Sequence, residues 1–262
     1  MKVLEVEKLS YSYVNNKPIL DNIDLTLNKG DIVCLLGPNG SGKSTLIKQI
    51  LFPTKKNKGC IKVYGKSVRD MGIKEHSKIF SFVPQQIPVL GLTVFDTVLM
   101  GRNPYKKSVF LKPDSEDIRI VDEVLERVGL SDYKNRRLSS LSGGEMQRVI
   151  IAQALVKEAE IYFFDEPMSA LDPESQRDFL KMATELSKSG NTVVFTTHNP
   201  SHALSLENVR IMIMDKNHKL TELDMLSKND VKVIEQIFND SMKICYHNDQ
   251  KTFVSLFNYG TS

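Results

Sequence analysis

The stretch that decides the fold is Ile32-Val33-Cys34-Leu35-Leu36-Gly37-Pro38-Asn39-Gly40-Ser41-Gly42-Lys43-Ser44-Thr45. Its first five residues are all apolar, which is typical of a strand covered on both faces. An apolar helical pattern follows from Leu46 to Leu51. The residues between match G-x-x-x-x-G-K-[ST], in the strand–loop–helix context that this motif requires. The sequence therefore predicts a phosphate-binding loop.

The residue types of this loop explain how it would bind phosphate. Glycines let backbone N–H groups converge on phosphate oxygens, and the start of the following helix adds a favourable dipole. Lys43 would reach the β- and γ-phosphates, and the Ser44 hydroxyl would bind Mg²⁺. The candidate nucleotide-binding residues are Gly37, Pro38, Asn39, Gly40, Ser41, Gly42, Lys43, Ser44 and Thr45.

Two further apolar runs, residues 161–164 and 192–197, resemble the first. Because helical patterns separate the three runs, we expect a parallel α/β sheet. Polar and apolar residues alternate over 4–9, 10–14 and 19–27, which predicts antiparallel strands with one face in water.

Residues from about 88 to 156 have a mainly helical pattern. Thr93 is a suitable cap for one helix, and residues 114–117 precede a second helical pattern that ends at Gly129. The fold class is therefore α/β, with a parallel-sheet core, an N-terminal antiparallel β subdomain and an inserted α-helical subdomain. Residues 211–214 and the turn after them predict a hairpin and a small terminal element.

Two carboxylates follow the second apolar run. Asp165 and Glu166 come directly after Phe164, at the carboxyl end of a buried strand, where open α/β sheets bind ligands. Successive strand residues point to opposite sides, so the two acids would have different tasks. We expect Asp165 to hold Mg²⁺ through its water shell, and Glu166 to orient and deprotonate an attacking water.

A second glycine motif is Leu141-Ser142-Gly143-Gly144-Glu145-Met146-Gln147-Arg148. Ser142 is a natural N-cap, and two glycines in the first helical turn expose N–H groups to an anion. The residues alone leave the identity of that anion open.

These motifs together resemble those of the ATP-binding-cassette (ABC) ATPases, and they occur in the family order over about residues 2–220. After the phosphate loop, Phe82-Val83-Pro84-Gln85 resembles the Q-loop and Leu141–Arg148 the signature. Residues 161–167 then resemble the Walker B segment, Ser169-Ala170-Leu171-Asp172 the D-loop, and His198 the switch histidine. The resemblance implies a P-loop NTPase core in residues 1–220 that binds ATP and Mg²⁺, followed by a short extension, 221–262.

The resemblance also implies a head-to-tail homodimer. Ser142, Gly143 and Gly144 would press on the γ-phosphate bound by the second copy, and Asp172 would lie at the dimer interface. Gln85 would contact Mg²⁺ and the attacking water. His198 would contact the γ-phosphate and hold Glu166 in place.

The family stacks an early aromatic side chain on adenine, and Tyr13 fits best by its position. Tyr11 would share its face in an ideal strand, so both stay open. The other histidines (His76, His202, His218 and His247) have no partner pattern, and we expect them to face solvent.

The segment Leu92–Tyr105 resembles ATPases of importers for iron–siderophore, haem, cobalamin or molybdate/tungstate, in which this subdomain docks a permease helix. The partners would then be transmembrane permease subunits and, indirectly, a substrate-binding protein, at the cytoplasmic face of the membrane. Another ABC importer or an exporter is the alternative. ABC ATPases of DNA repair or translation are disfavoured, because the chain has one cassette and no sustained heptads.

Composition agrees with this prediction. The chain has 262 residues and a net charge of +3, from 35 basic and 32 acidic residues, which is too small to indicate a nucleic-acid partner. The first residues have no apolar core typical of a signal peptide. Its three cysteines (Cys34, Cys60 and Cys245) are far apart, which indicates neither a disulfide framework nor a zinc site.

Overall fold

The computed structural model describes residues 1–14, 17–85, 91–106, 113–223, 233–234, 237, 242–247 and 250–255. Parts of two predicted features, residues 88–90 and 107–112 of the helical block and much of the extension 221–262, lie outside these residues. Among the described residues, the strands are β1 (Lys2–Ser12), β2 (Pro18–Asn28), β3 (Ile32–Leu36), β4 (Lys58–Val63), β5 (Lys66–Ser67), β6 (Phe80–Val83), β7 (Ile161–Phe164), β8 (Thr192–Thr197), β9 (Val209–Met214), β10 (Leu220–Leu223), β11 (Met242–His247) and β12 (Gln250–Ser255).

The α-helices of the same residues include α1 (Lys43–Leu51), α2 (Ile73–Ile79), α3 (Val94–Leu99), α4 (Ser115–Arg127), α5 (Gly143–Leu155), α6 (Pro173–Lys188) and α7 (Ser201–Leu204). Short 3₁₀ helices occupy Val68–Asp70, Met100–Tyr105, Ser131–Tyr133 and Leu138–Ser140. Within the described residues, none of these helices has both the length and the apolar character needed to cross a bilayer.

Contacts divide the chain into one unit of residues 1–69 and 194–262 and another of residues 70–193. The first unit contains an antiparallel sheet with the strand order β2-β1-β4-β5. The two predicted strands at 4–9 and 10–14 are one strand, β1. The buried positions Val6 and Leu9 are three residues apart, and the register of β1 against β2 shifts between them. Lys8 has a φ of 50° there, so a bulge keeps both side chains in the core.

The phosphate loop of the first unit starts from β3, which is buried along its whole length. β9 pairs with β3 in parallel, and β10 pairs with β9 in antiparallel register. The hairpin predicted after residues 211–214 is therefore confirmed. Further along the chain, β11 and β12 form a second hairpin.

The second unit combines a parallel strand pair with a helical cluster. β6 and β7 pair in parallel, with Val83 opposite Phe164. The apolar faces of α3, α4 and α5 enclose a separate core, which includes the fully buried Val98, Val121 and Val149. The parallel pairs in both units and the antiparallel sheet confirm the predicted α/β class.

Two helices of this unit begin at capped positions, of which Thr93 was predicted and Asp114 is seen in the structure. Thr93 accepts a hydrogen bond from the Asp96 N–H before α3, and Asp114 accepts one from the Asp117 N–H before α4. Each cap satisfies a backbone donor that the first turn of a helix cannot pair internally. Local sequence therefore sets where these helices begin.

The 3₁₀ helix Met100–Tyr105 is packed tightly on the end of α5. A Cβ at Gly101 would lie 2.3 Å from the carbonyl oxygen of Gln153 and 2.5 Å from Cγ2 of Val156, so only glycine lets the two backbones approach this closely. Arg102 is 6 % exposed. Its Nε donates to Asp117 at 3.0 Å and its Nη1 donates to the carbonyl oxygen of Val156 at 2.8 Å.

Candidate functional site

The phosphate loop turns sharply between β3 and α1. Gly37 and Gly42 have φ values of 153° and 112°. A Cβ at Gly37 would lie 2.3 Å from the carbonyl oxygen of Met214, and one at Gly42 would lie 2.8 Å from that of Ile19. The loop is thus pressed against the backbone of β9 and β2, and the two glycines are required by both space and conformation.

Lys43 lies within this loop. It is 6 % exposed, and its Nζ donates to the carbonyl oxygens of Gly37 and Pro38 at 2.7 and 3.1 Å. An ammonium group in a glycine loop is suited to phosphate oxygens, which carry the opposite charge. Ser44, the next residue, is half-buried at the start of α1.

The hydroxyl of Ser41 tests whether the loop suits a phosphate. Ser41 is 2 % exposed, and its Oγ has no hydrogen-bond partner among the described residues. An unpaired buried donor at this point is a cost that a phosphate oxygen would remove. The loop, its lysine and this hydroxyl therefore fit a polyphosphate ligand.

The two tyrosines proposed for adenine differ in environment. Tyr11 is 8 % exposed, whereas Tyr13 is 53 % exposed. Their rings meet edge to face with centroids 5.1 Å apart, and the Tyr13 hydroxyl lies 3.2 Å from Thr45 Oγ1. Only Tyr13 offers a ring face to a ligand, and its hydroxyl reaches the first turn of α1. The assignment of Tyr13 remains a prediction that this exposure supports.

His198 begins the turn that follows β8, and its side chain is exposed. The hydroxyl of Thr197 accepts from the Asn199 N–H at 3.1 Å and lies 2.9 Å from His202 Nδ1. Asn199 Oδ1 accepts from the Ser201 N–H at 3.0 Å. These bonds fix the turn that presents His198.

The prediction that the remaining histidines face solvent is wrong for three of them. His202 is half-buried, and burial, followed by the charge of His198, lowers its pKa to about 4. The His218 ring contacts the phosphate loop, with its Nδ1 2.7 Å from the carbonyl oxygen of Ser41. His76 packs on Phe80 with ring centroids 4.9 Å apart. The side chain of His247 lies outside the described residues.

The carboxylate pair lies in the second unit, directly after β7. Asp165 and Glu166 are 2 % and 8 % exposed. The backbone of Glu166 has a φ of 51°, a left-handed conformation that is rare for a residue with a side chain. The hydroxyl and the N–H of Ser169 both donate to the Glu166 carbonyl oxygen, at 3.0 and 3.2 Å. The chain therefore changes direction at the residue predicted to be the base.

Gln85 shares the end of the strand pair with these acids. Val83 and Phe164, the last residues of β6 and β7, lie opposite each other. Gln85 and Glu166 therefore each lie two residues beyond the end of a strand. Asp165 is held to the neighbouring strand by its N–H, which donates to the carbonyl oxygen of Val83 at 2.8 Å. The Gln85 side chain is exposed. An amide and two carboxylates are oxygen donors of the type that Mg²⁺ prefers.

The signature segment begins α5 with a complete capping box. Ser142 Oγ accepts from the Glu145 N–H, and the Glu145 carboxylate accepts from the Ser142 N–H at 2.7 Å. This bond to a backbone donor lowers the pKa of Glu145. Ser142 and Gly143 are exposed, so the first turn of the 13-residue helix is accessible to an anion.

The D-loop lies beside the signature. A Cβ at Gly144 would be 3.2 Å from the carbonyl oxygen of Ala170. Asp172 caps α6 by accepting from the Ser175 N–H at 2.9 Å and from its hydroxyl at 3.0 Å, and these bonds lower the pKa of Asp172. The second unit thus places the glycines of the signature beside the D-loop, with Ser142, Gly143 and Asp172 exposed.

The comparisons with known proteins identify the family. The ABC transporter family profile matches residues 20–169, more than half of the chain. The energy-coupling factor transporter ATP-binding protein EcfA1 of Fusobacterium nucleatum is 34 % identical, covering 94 % of this chain and 99 % of the relative. The iron(3+)-hydroxamate import ATP-binding protein FhuC of Bacillus subtilis is 32 % identical, covering 93 % and 90 %.

Solved structures agree with the sequence relatives. A structure described as an inward-facing conformation of a metal-chelate type ABC transporter matches with a TM-score of 0.82 and 30 % identity, covering 98 % of this chain and 99 % of that one. The matched profile contains the phosphate loop, the signature and both carboxylates. The chain belongs to the ABC transporter family, as an ATP-binding subunit.

Proposed function

We propose that this chain hydrolyses Mg·ATP to energise a membrane importer for a metal chelate or a related solute, such as an iron–siderophore, haem, cobalamin or molybdate/tungstate. The observation that carries the hydrolytic part is a buried lysine in a glycine loop together with the buried carboxylates Asp165 and Glu166. An ammonium group in a glycine loop suits an anionic triphosphate, and carboxylates suit the cation that accompanies it.

In this proposal, Lys43 and the backbone N–H groups of the loop bind the β- and γ-phosphates. Ser44, Gln85 and Asp165 would hold Mg²⁺, which supplies neutralisation of the phosphate charge when bound. Tyr13 would stack on adenine through its exposed ring. The remaining residues of the nucleotide-binding loop are its glycines, Pro38, Asn39, Ser41 and Thr45.

Glu166 acts as the general base. It orients a water for attack on the γ-phosphorus and accepts the proton released as the new P–O bond forms; the bond to the β-phosphate oxygen breaks, and ADP and phosphate leave. His198 would hold the Glu166 carboxylate and contact the γ-phosphate. The hydrogen-bonded turn of Thr197, Asn199 and His202 supports His198 in this role.

A second copy of the chain completes each site. The exposed start of α5, with Ser142 and Asp172, would face the γ-phosphate bound by the partner. A ligand shifts an equilibrium only by its differential affinity for the two states. Binding of ATP between two copies would therefore close the dimer, and hydrolysis would reopen it.

The permease would dock on the second unit, beside the 3₁₀ helix Met100–Tyr105. Met100 and Tyr105 are 42 % and 39 % exposed there. A cleft of about 280 Å³ between this helix and α5 is lined by Met100, Pro104, Ile150 and Lys157, among others. Docking would keep the chain at the cytoplasmic face of the membrane, with a substrate-binding protein as an indirect partner.

Glu166→Gln tests the base. Turnover should fall about 10²- to 10⁴-fold, because the amide keeps the shape but accepts no proton, and ATP-bound dimers should accumulate. Glu174→Gln, an exposed carboxylate in the first turn of α6, is the matched control and should retain activity. Wild-type turnover in Glu166→Gln would contradict the proposed role.

Mixed dimers test the shared site. A dimer of one Lys43→Ala chain and one Ser142→Arg chain retains one intact composite site, while either homodimer retains none. We expect ATP hydrolysis only after mixing. Full activity in the Ser142→Arg homodimer would show that the signature takes no part.

The cargo is tested by purifying the complex from its native membrane with the ATPase as bait, and measuring ATP-dependent uptake of each solute class into vesicles. A second candidate is a subunit of an energy-coupling factor transporter, because the relative of that name is matched over 99 % of its length. Co-purification of a metal-chelate permease would favour the first proposal. If the permease of another importer or of an exporter co-purifies instead, the alternatives are favoured.

A further inference from the structure

The turn between β9 and β10 places a histidine against the phosphate loop. Asp215 Oδ1 accepts from the N–H groups of Asn217 and Lys219, at 2.8 and 2.9 Å. The His218 N–H donates to the Asp215 carbonyl oxygen at 3.1 Å. This closed turn holds the imidazole so that its Nδ1 lies 2.7 Å from the carbonyl oxygen of Ser41.

The acceptor defines the state of the ring. A carbonyl oxygen has no hydrogen to donate, so His218 Nδ1 carries the hydrogen and is the donor in this bond. Nδ1 bears a hydrogen both in this neutral tautomer and in the protonated ring. The contact with Ser41 therefore does not depend on which of these two forms is present.

The backbone of His218 indicates that its side chain contributes something specific. Its φ is 61°, a left-handed conformation that glycine adopts without steric cost and that a residue with a Cβ avoids. The turn would therefore form more easily with glycine. What glycine would lack is the hydrogen bond to the phosphate loop.

The bonded carbonyl also sets the orientation of the next N–H. In a trans peptide the carbonyl and the following N–H point in opposite directions. Fixing the Ser41 carbonyl towards His218 therefore turns the Gly42 N–H away from the turn, at the point where α1 begins at Lys43. Gly42 also lies close to β9, the strand before this turn, since a Cβ at Gly42 would lie 3.1 Å from Met214 Sδ.

We propose that His218 is a positioning residue of the nucleotide site, which holds the Ser41–Gly42 peptide so that the Gly42 N–H faces the phosphates. This rests on the proposed function, because it assumes that the loop binds a nucleoside di- or triphosphate. Every such ligand carries the β-phosphate, so His218 strengthens the binding of ADP as well as ATP.

His218→Gly and His218→Asn separate positioning from simple support of the turn. Both residues tolerate the left-handed backbone, but only asparagine retains a donor, on the atom bonded to Cγ where histidine has Nδ1. Asn217→Gly, in the same turn with an exposed side chain, is the matched control for turn flexibility. All four proteins are titrated with Mg·ADP by calorimetry, and their thermal unfolding is measured without nucleotide.

We expect His218→Gly to weaken Mg·ADP binding about five- to tenfold, the loss of one hydrogen bond, without lowering the unfolding midpoint. His218→Asn should restore most of the affinity, and Asn217→Gly should bind like wild type. Wild-type affinity in His218→Gly, or an equal loss in Asn217→Gly, would overturn the proposal. A wild-type protein that fails to bind Mg·ADP would instead overturn the proposed function, and this inference with it.

Discussion

Arg102→Met removes the charged partner of a buried carboxylate. The side chains of Arg102 and Asp117 are each 7 % exposed, with Nε and Oδ1 3.0 Å apart. The guanidinium also donates to the Val156 carbonyl oxygen and pairs with Glu158, and it lies 4.3 Å from the centroid of the Tyr105 ring. Methionine retains much of the apolar stem but none of these donors.

The burial of this pair sets the size of the effect. Removing one partner of a buried ion pair leaves an uncompensated charge and costs about 3–5 kcal/mol of unfolding free energy. For a chain of this size, 1 kcal/mol corresponds to about 2–4 °C in the unfolding midpoint. Arg102→Met should therefore unfold about 6–20 °C below wild type.

A second arginine of the same unit provides the control. Arg119 pairs with Glu116 and Glu123 on the surface of α4, and its side chain is 55 % exposed. Exposed pairs contribute about 0–1 kcal/mol, so Arg119→Met should unfold within about 4 °C of wild type. Thermal unfolding followed by circular dichroism measures both variants.

A double variant completes this test. Arg102→Met with Asp117→Leu removes both charges and should be more stable than Arg102→Met alone, because no unpaired carboxylate stays buried. If Arg102→Met and Arg119→Met shift the midpoint equally, the reasoning from burial is wrong.

Three further predictions use other groups. Gly37→Ala should abolish tight ATP binding in a nucleotide titration, because its Cβ would lie 2.3 Å from a main-chain carbonyl oxygen. The pKa of His202 is lowered from 6.5 to about 4 in the folded chain, so as pH falls this histidine is protonated in the unfolded chain first. The free energy of unfolding should therefore fall by about 1–3 kcal/mol between about pH 6.5 and pH 4. In urea titrations, His202→Asn should reduce this pH dependence, and an unchanged dependence would contradict the assignment. In a Cys245→Ser background, a thiol reagent should label the half-buried Cys60 before the fully buried Cys34, whose pKa is raised by burial; equal labelling rates would contradict the burial.

Local sequence was sufficient for the features that depend on neighbours along the chain. The phosphate loop, the caps Thr93 and Ser142, and the buried strand β3 were all predicted, because each depends on residues within one turn or one strand. These are the positions where backbone geometry and residue type are most tightly linked.

The features that sequence reasoning missed depend on contacts between distant residues. The bond from His218 to Ser41 spans 177 positions, and no local pattern indicates that the turn after β9 returns to the phosphate loop. The parallel pairing of β9 with β3, which the structure shows, brings the end of β9 beside the start of the loop. The single strand β1 was divided in two because the bulge at Lys8 interrupts the alternation.

The backbone contact at Gly101 gives α5 a mechanical property. The 3₁₀ helix rests on the last turns of this helix, at Gln153 and Val156, whereas Ser142 caps its first turn. Thirteen residues at about 1.5 Å each separate the two ends by about 20 Å. Because Gly101 has no side chain that would separate the two backbones, a displacement of the 3₁₀ helix would push directly on the end of α5, and the helix would carry it towards the signature.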